Sequence, residues 1–199
     1  MGDSQEASDN RNSIRHSTVL RVLVACEWSG AIRDKAIDKG HEAWSIDLDK
    51  PAGKHRLFAC QDDVLNYLDY GWDIMLAFPP CNYLTKANGH HVGDNPHRER
   101  ALAFVRTLMD APIPRICIEN PIGVISTKIR KPDQIIEPFM FGEPYKKATC
   151  LWLKGLPPLA PTQWVHPGDI EPWVNGYRNP KLRGMTFDGI AQAMVDQWL

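Results

Sequence analysis

The sequence predicts an α/β fold built on a doubly wound, mostly parallel sheet. Short and almost uninterrupted apolar runs recur along the first two-thirds of the chain, which is the pattern of strands buried on both faces. Stretches with helical spacing of apolar residues separate these runs, as expected for parallel strands joined by covering helices. The 199 residues suit one domain with a substantial core.

Composition places the chain among ordinary globular proteins. Hydrophobic residues make up 43% and charged residues 24%, with a formal net charge of −1. The polar residues 1–17 are predicted to form a disordered tail, which leaves 18–199 as a single domain. Five cysteines without a Cys-x-x-Cys pair favour a reducing cytoplasm over a disulfide framework or a zinc site. No apolar stretch is long enough to span a membrane, and the N-terminus lacks a signal-peptide core.

The first part of the chain reads as alternating strands and helices. Its predicted elements are a strand at 19–26, a turn at 27–30, a helix at 31–39, a strand at 42–46 and a short helical stretch after Asp62-Asp63. Ser29 is a plausible cap for the helix, and Gly40 ends it.

Asp47 ends the second strand 20 residues after Glu27, which is the spacing of a ribose-binding acid in nucleotide-type Rossmann sites. A turn residue or a helix cap explains an aspartate there equally well. The first turn lacks Gly-x-Gly-x-x-Gly, so a pyrophosphate would lose its usual close approach to the backbone. The turn therefore favours a ligand without phosphates, such as S-adenosylmethionine, over NAD or FAD.

Cys81 follows an apolar run and two prolines, at 73–81. The prolines cannot donate ladder hydrogen bonds, so they end the strand and hold the thiol at its carboxyl end. A nucleophilic cysteine needs such a partly exposed and rigid position, whereas most cysteines outside disulfides are buried small hydrophobes. His90, His91 and His97 lie nearby, but no carboxylate or cysteine stands at a ligand spacing from them, so no metal site is predicted.

A second apolar run at 115–121 ends in Glu119, Asn120 and Pro121. A predicted helix at 97–110 separates the two runs, which makes a right-handed strand–helix–strand unit. Such a unit brings both strand ends to one edge of the sheet, so Cys81 and Glu119 are expected to face one crevice. A solvated glutamate or a helix cap is the alternative interpretation of Glu119.

Prolines and tryptophans punctuate the chain after Pro121, which indicates strands and ordered loops packed over the sheet. A strand is predicted at 148–153 and a closing amphipathic helix at 187–198. Between 128 and 183 there are nine Lys or Arg residues and five Asp or Glu residues. This balance is compatible with a basic face for a phosphate-bearing substrate, or with an ordinary solvated surface.

These segments, in this order, resemble the cytosine-C5 methyltransferases, and specifically short phage-type members of that family. Residues 22–30 with Asp47 resemble the first two cofactor motifs, and Asp62-Asp63-Val64 resembles the adenine-contacting motif. The run ending in Pro79-Pro80-Cys81 resembles the nucleophile motif, and 118–121 its Glu-Asn partner. The resemblance implies a Rossmann-like S-adenosylmethionine-dependent methyltransferase fold and methylation of cytosine at C5.

The resemblance also implies roles for individual residues. The catalytic set is Cys81 as nucleophile, Glu119 at the base and Lys147 as a positive charge. The S-adenosylmethionine set is Cys26, Glu27, Trp28, Gly30, Asp47, Leu48, Asp63, Phe78, Pro80 and Gly189. The substrate set is Pro79, Asn120, Pro121, Lys181 and Arg183.

Three features depart from the family pattern. The first turn reads Cys-Glu-Trp-Ser-Gly where the family has Phe-x-Gly-x-Gly, so the methionine end of the cofactor is expected to bind differently. Residues 145–150 replace Gln-x-Arg-x-Arg, so the family's catalytic arginine has no direct match and Lys147 is the candidate substitute. Only the 32 residues 154–185 stand where the family has a target-recognition domain.

The sequence leaves the substrate open between DNA read with little sequence selectivity and a free cytosine nucleotide. A different class of function is a non-catalytic protein that binds nucleic acid or cofactor and retains the fold. The altered turn and the missing arginine favour that alternative, whereas the presence of Cys81 and Glu119 favours the enzyme. A cytoplasmic protein is expected, in a bacterial host if a phage encodes it, and its oligomeric state stays open.

Overall fold

The computed structural model describes residues 18–85, 95–173 and 184–199. Its nine strands in these residues are β1 (Arg21–Ala25), β2 (Glu42–Asp47), β3 (Ala59–Gln61), β4 (Ile74–Ala77), β5 (Arg115–Pro121), β6 (Gln134–Ile136), β7 (Tyr145–Lys146), β8 (Thr149–Lys154) and β9 (Glu171–Pro172). The α-helices are α1 (Arg33–Asp38), α2 (Pro96–Met109), α3 (Ile125–Lys128) and α4 (Asp188–Trp198). Short 3₁₀ helices lie at Arg56–Phe58, Val64–Tyr67, Pro138–Met140 and Pro167–Asp169.

Seven strands form one sheet in the order β3-β2-β1-β4-β5-β8-β6. The first five are mutually parallel, and β8 is antiparallel to both β5 and β6. The chain runs outward from β1 to β3 and then returns to continue from β4, so the topological switch lies between β1 and β4. Ligands bind at such a switch, beyond the carboxyl ends of the strands.

Apolar side chains cover both faces of the sheet. On one face, Leu102, Val105 and Leu108 of α2 pack with alternate residues of β1, β4 and β5. On the other face, α1 and α4 pack with the remaining strand residues through Ala36, Met194 and others. The α/β, doubly wound and mostly parallel sheet predicted from the sequence is therefore confirmed.

Several local predictions are corrected by the structure. Helix α1 begins at Arg33 with Ile32 as its N-cap, and Ser29 instead accepts a hydrogen bond from the Ala31 N–H in the preceding turn, at 3.2 Å. Strands β3 and β6 have three residues each and the parallel pair β7–β9 has two in each strand, which is too short for an alternating pattern. Gly40 does end α1, with a φ of 98° that only glycine adopts readily.

None of the helices in the described ranges combines the length and the apolarity that crossing a membrane requires.

A candidate active site at the carboxyl edge of the sheet

The turn after β1 forms one wall of a small pocket at the topological switch. The pocket is lined by Cys26, Glu27, Trp28, Ser29, Phe78, Gly184, Met185 and Thr186. Cys26 has a φ of 59°, an uncommon left-handed conformation for a residue other than glycine, and its N–H donates to Ile46 at 2.8 Å. Four predicted cofactor residues therefore line one pocket. We call this pocket, together with Asp47, Leu48 and Asp63, the cofactor side.

Glu27 is a buried carboxyl group within the cofactor side. Its Oε1 accepts hydrogen bonds from the Ser29 hydroxyl and from the Ala31 N–H, the latter at 2.8 Å. Its Oε2 is buried and has no hydrogen-bond partner among the residues that the structure describes. Burial raises the pKa of Glu27, and the Ser29 bond opposes this shift. A buried oxygen without a partner is costly, so this atom marks a place where a donor on a ligand would be stabilised.

Asp47, Leu48 and Asp63 lie around the end of β2. Asp47 Oδ1 accepts the Asp49 N–H at 2.7 Å, and Asp63 Oδ1 caps the Val64–Tyr67 turn through the Leu65 N–H at 3.0 Å. The side chain of Leu48 is 73% exposed, although it lies next to a candidate ligand site. Burial and the nearby Asp47 and Asp63 carboxylates raise the pKa of the Cys26 thiol to about 12, which disfavours its thiolate form.

Two predicted cofactor glycines have packing roles in the structure. A Cβ on Gly30, whose φ is 81°, would stand 2.2 Å from the Arg33 guanidinium. Arg33 is fully buried and donates to Ser45 at 2.6 Å and to the Ala52 carbonyl at 2.7 Å, so it holds the loop that follows β2. A Cβ on Gly189 would stand 1.9 Å from the Phe141 carbonyl oxygen, which places the start of α4 directly against Phe141.

Cys81 lies four residues beyond β4 and begins a tight turn. Its carbonyl accepts the Leu84 N–H at 2.9 Å and the Thr85 N–H at 3.0 Å, and its side chain is half-buried. Pro79 before it is buried and Pro80 is exposed. The double proline thus delivers the cysteine to the carboxyl edge of the sheet, as the sequence predicts.

The Cys81 turn is fastened to the end of β5. Asn120, 1% exposed, donates from Nδ2 to the Pro79 carbonyl at 2.7 Å. The Leu84 carbonyl accepts the Val124 N–H at 2.8 Å, and Thr85 forms a bridge with Gly123. These contacts bring the two predicted motifs together and place Asn120 behind the site, where it orients the Pro-Pro-Cys turn. Pro121 lies at the end of β5, opposite Thr149.

Glu119 is one residue beyond the β4-paired part of β5 and directly precedes Asn120, whose side chain holds the Pro79 carbonyl. The hydroxyl of Thr149 on β8 donates a hydrogen bond to its Oε1. Burial raises the pKa of Glu119, while the Thr149 bond and the charge of Lys147 oppose this shift. We call Cys81, Glu119, Lys147 and Thr149 the base side of the site.

Lys147 lies between β7 and β8, on the same edge. Its Nζ stands 5.5 Å from the centre of the Phe187 ring, which packs on Trp173 and Tyr145 with ring centres 4.6 and 5.8 Å away. The Lys147 N–H donates to Glu137. The positive charge of Lys147 also lowers the pKa of Glu119, so this cation acts on the carboxyl group.

The sequence analysis missed several residues of this edge. Thr149, Ser29, Met185 and Thr186 carry no local signal, because the fold alone brings them to the site. The predicted substrate residues Lys181 and Arg183 lie outside the described residues, as do His90 and His91. In the part of the chain that the structure describes, no group of three His, Cys, Asp or Glu side chains is arranged to hold a metal ion.

Comparison with solved structures shows a similarity of fold. No protein-family model matches the chain, and no curated protein matches it. Among solved structures, the S. pombe Dnmt2 methyltransferase is similar over 70% of this chain, with 19% sequence identity and a TM-score of 0.48. This chain spans about half of that one, 52% of its length. The strand order itself, with β8 antiparallel inside a parallel sheet, is that of a Rossmann-like α/β fold.

Proposed function

We propose that this protein methylates cytosine at C5, using S-adenosylmethionine, as a short phage-type member of the cytosine-C5 methyltransferases. The observation that carries the proposal is the fastening of the Cys81 turn to the end of β5, beside Glu119. A thiol and a carboxyl group at adjacent strand ends are the two side chains that this chemistry requires. Both lie at the edge of the sheet where the cofactor side also lies.

The cofactor side fits S-adenosylmethionine in its polar groups. The α-ammonium group of the cofactor would supply the donor that Glu27 Oε2 lacks. Asp47 would accept from the ribose hydroxyls, and Leu48 would cover the adenine, with Asp63 near its amino group. The remaining predicted contacts are Cys26, Trp28, Phe78 and Pro80, with Gly30 and Gly189 shaping the backbone.

When bound, S-adenosylmethionine supplies an electrophilic methyl group next to the base. Cys81 attacks C6 of cytosine as a thiolate, forming a carbon–sulfur bond and making C5 electron-rich. Glu119 gives a proton to ring N3 and accepts a hydrogen bond from the 4-amino group, so that the adduct carries less charge. Once C5 has taken the methyl group, loss of the C5 proton to a base expels the Cys81 thiolate, and N3 returns its proton to Glu119 as the ring is restored. The positive charge of Lys147 stabilises negative charge that develops at the base side.

The substrate is DNA with a short sequence context or a free cytosine nucleotide. Phosphate contacts on DNA would come from basic residues around 128–131, from Lys146 and from Lys181 and Arg183. In a duplex the cytosine must leave the stack to reach Cys81. The 32 residues at 154–185 are few for an interface of about 1,000 Å² or more, so sequence selectivity on DNA should be low.

A non-catalytic binding protein is the second candidate. The altered first turn, Cys-Glu-Trp-Ser-Gly, and the absence of a direct match to the family's catalytic arginine favour it. Such a protein would bind the cofactor or nucleic acid without forming a bond to Cys81.

Incubation with methyl-labelled S-adenosylmethionine tests the proposal. Duplex DNA, single-stranded DNA and free cytosine nucleotides are supplied in parallel, and mass spectrometry locates the label. We expect 5-methylcytosine in one class of substrate. Labelled nucleotide with no competition from polymer identifies the free nucleotide, whereas a rate that falls steeply with salt identifies DNA. Cofactor binding without transfer to any cytosine would refute the enzyme and support the binding protein.

A further inference from the structure

Thr149 donates a hydrogen bond to Glu119 from the neighbouring strand β8. It lies on β8 and is 4% exposed, so its side chain has little freedom to turn toward water. The antiparallel register sets Thr149 opposite Pro121 and Leu151 opposite Glu119. Its hydroxyl reaches Glu119 Oε1 across the pair of strands. A residue 30 positions away in the sequence is therefore bonded to the proposed acid.

We propose that Thr149 is a positioning residue that makes Oε1 of Glu119 a hydrogen-bond acceptor and leaves Oε2 to carry the proton given to cytosine N3. The inference rests on the proposed function and names a residue that the proposed mechanism does not otherwise use. A carboxylic acid can hold its proton on either oxygen. A fixed donor at Oε1 disfavours protonation there, so the proton stands on the other oxygen.

The charge of the group that donates to Glu119 also affects the pKa of Glu119. A guanidinium at the position of Thr149 would hold the carboxyl ionised, whereas a hydroxyl is neutral and donates one hydrogen bond. Burial raises the pKa of Glu119, so the protonated form persists further toward neutral pH, and the Thr149 bond limits the rise. Removing the hydroxyl should therefore raise the pKa of Glu119 further.

The other titratable groups near Glu119 do not change the expected direction of its pKa shift when the Thr149 hydroxyl is removed. Lys147, from the loop before β8, carries a positive charge that lowers the pKa of Glu119. Cys117 on β5 and Cys150 on β8 also face it, and burial raises the pKa of both thiols, so they stay neutral. Each of these groups is retained when only Thr149 is changed.

The test uses Thr149→Val, which removes the hydroxyl at nearly constant shape, and Thr149→Ser, which keeps it. The first measurement is a ¹³C NMR titration of the Glu119 carboxyl carbon in the ligand-free full chain, assigned with Glu119→Gln. We expect a higher pKa in Thr149→Val than in wild type, and a value close to wild type in Thr149→Ser. This readout does not depend on activity.

The second measurement is the pH dependence of single-turnover methyl transfer. Activity that needs protonated Glu119 falls as pH rises through its pKa. Thr149→Val should move that fall to higher pH and lower the maximal rate on the order of 10- to 100-fold, through loss of orientation. Thr149→Ser should restore most of the rate, and the KM for S-adenosylmethionine should be unchanged in both variants.

A Glu119 pKa that does not move in Thr149→Val, or a Thr149→Ser variant that behaves like Thr149→Val, would overturn the inference. Wild-type protein that transfers no methyl group would overturn the proposed function and the N3 role that rests on it. A shifted NMR titration would in that case still assign Thr149 as the residue that orients Glu119, so the two failures are distinguishable.

Discussion

The cofactor side and the base side each contain a carboxyl group whose pKa is raised by burial, yet they are built differently. Glu27 is held within its own turn, by Ser29 and Ala31 two and four residues away. Glu119 is held across the sheet by Thr149, and the charge nearest to it comes from Lys147. The cofactor carboxyl therefore depends on local sequence, whereas the base carboxyl depends on the assembled fold.

Because of this difference, substitutions on the two sides should change different measurable quantities. Glu27 keeps an oxygen without a partner, so its environment becomes favourable only when a ligand donates to it. Glu119 already accepts a hydrogen bond from the protein in the ligand-free state. The cofactor side should thus respond mainly in ligand affinity, and the base side mainly in the rate of the chemical step.

Cys81→Ser should give the largest loss of methyl transfer while leaving cofactor affinity nearly unchanged. A serine hydroxyl is a far weaker nucleophile than a thiolate, so methyl transfer should fall on the order of 10³-fold or more. Cofactor affinity by calorimetry should stay within about twofold, since the cofactor side is separate. Cys60→Ser, at another half-buried cysteine, is the matched control and should keep its activity. Equal losses in the two variants would contradict the assignment of Cys81.

Gly123→Ala should disrupt the contacts that hold the Cys81 turn against the residues that follow β5. A Cβ there would stand 1.9 Å from the Leu84 carbonyl oxygen, so backbone must shift around the Cys81 turn. We expect a loss of roughly 1–3 kcal/mol in the free energy of unfolding and a lower rate of methyl transfer. Chemical denaturation and single-turnover kinetics measure both. Gly168→Ala, whose new methyl group would meet only the His166 ring at 3.3 Å, is the control. An unaffected Gly123→Ala would refute the fastening.

Asp47→Ala tests the cofactor side. Loss of the carboxylate on the ribose should weaken S-adenosylmethionine binding by about 1–3 kcal/mol, the range for a hydrogen bond to a charged group. Isothermal titration calorimetry gives the affinity. Asp69→Ala, at an exposed aspartate, should bind as wild type does. An Asp47→Ala variant with unchanged affinity would remove Asp47 from the cofactor contacts.

Glu27→Gln gives the smallest effect and tests the sign of the pKa shift. A raised pKa in the folded state means that the folded protein binds the proton more tightly than the unfolded chain. The contribution of Glu27 to stability is therefore complete below the unfolded pKa and is lost as pH rises through the folded value. Each unit of difference corresponds to about 1.4 kcal/mol. Denaturation at several pH values should show wild type losing stability relative to Glu27→Gln as pH rises. The opposite trend would refute the claim that burial raises the pKa of Glu27 in the ligand-free protein.

The contrast between local and long-range contacts also explains which features could be predicted from the sequence. The strands β1, β2, β4 and β5 and the positions of Cys81 and Asp47 follow from apolar runs, acidic strand ends and the double proline, which are local signals. β3 and β6 are too short for such a signal, and the pairing of β8 with β5 depends on contacts between distant residues. Thr149 reaches Glu119 only through that pairing, so no pattern near either residue announces the contact. The start of α1 was misplaced because Ser29, a good capping residue, bonds to Glu27 and Ala31 instead.

A mechanism-based trap detects the proposed covalent bond between Cys81 and C6 of cytosine. A 5-fluorocytosine substrate, supplied in DNA and as the free nucleotide with S-adenosylmethionine, lacks the C5 proton whose loss releases the enzyme. We expect an intact-mass increase equal to the methylated substrate, mapped to the peptide that contains Cys81 and absent from Cys81→Ser. Unmodified protein, in a preparation that methylates normal cytosine, would show that Cys81 forms no such bond.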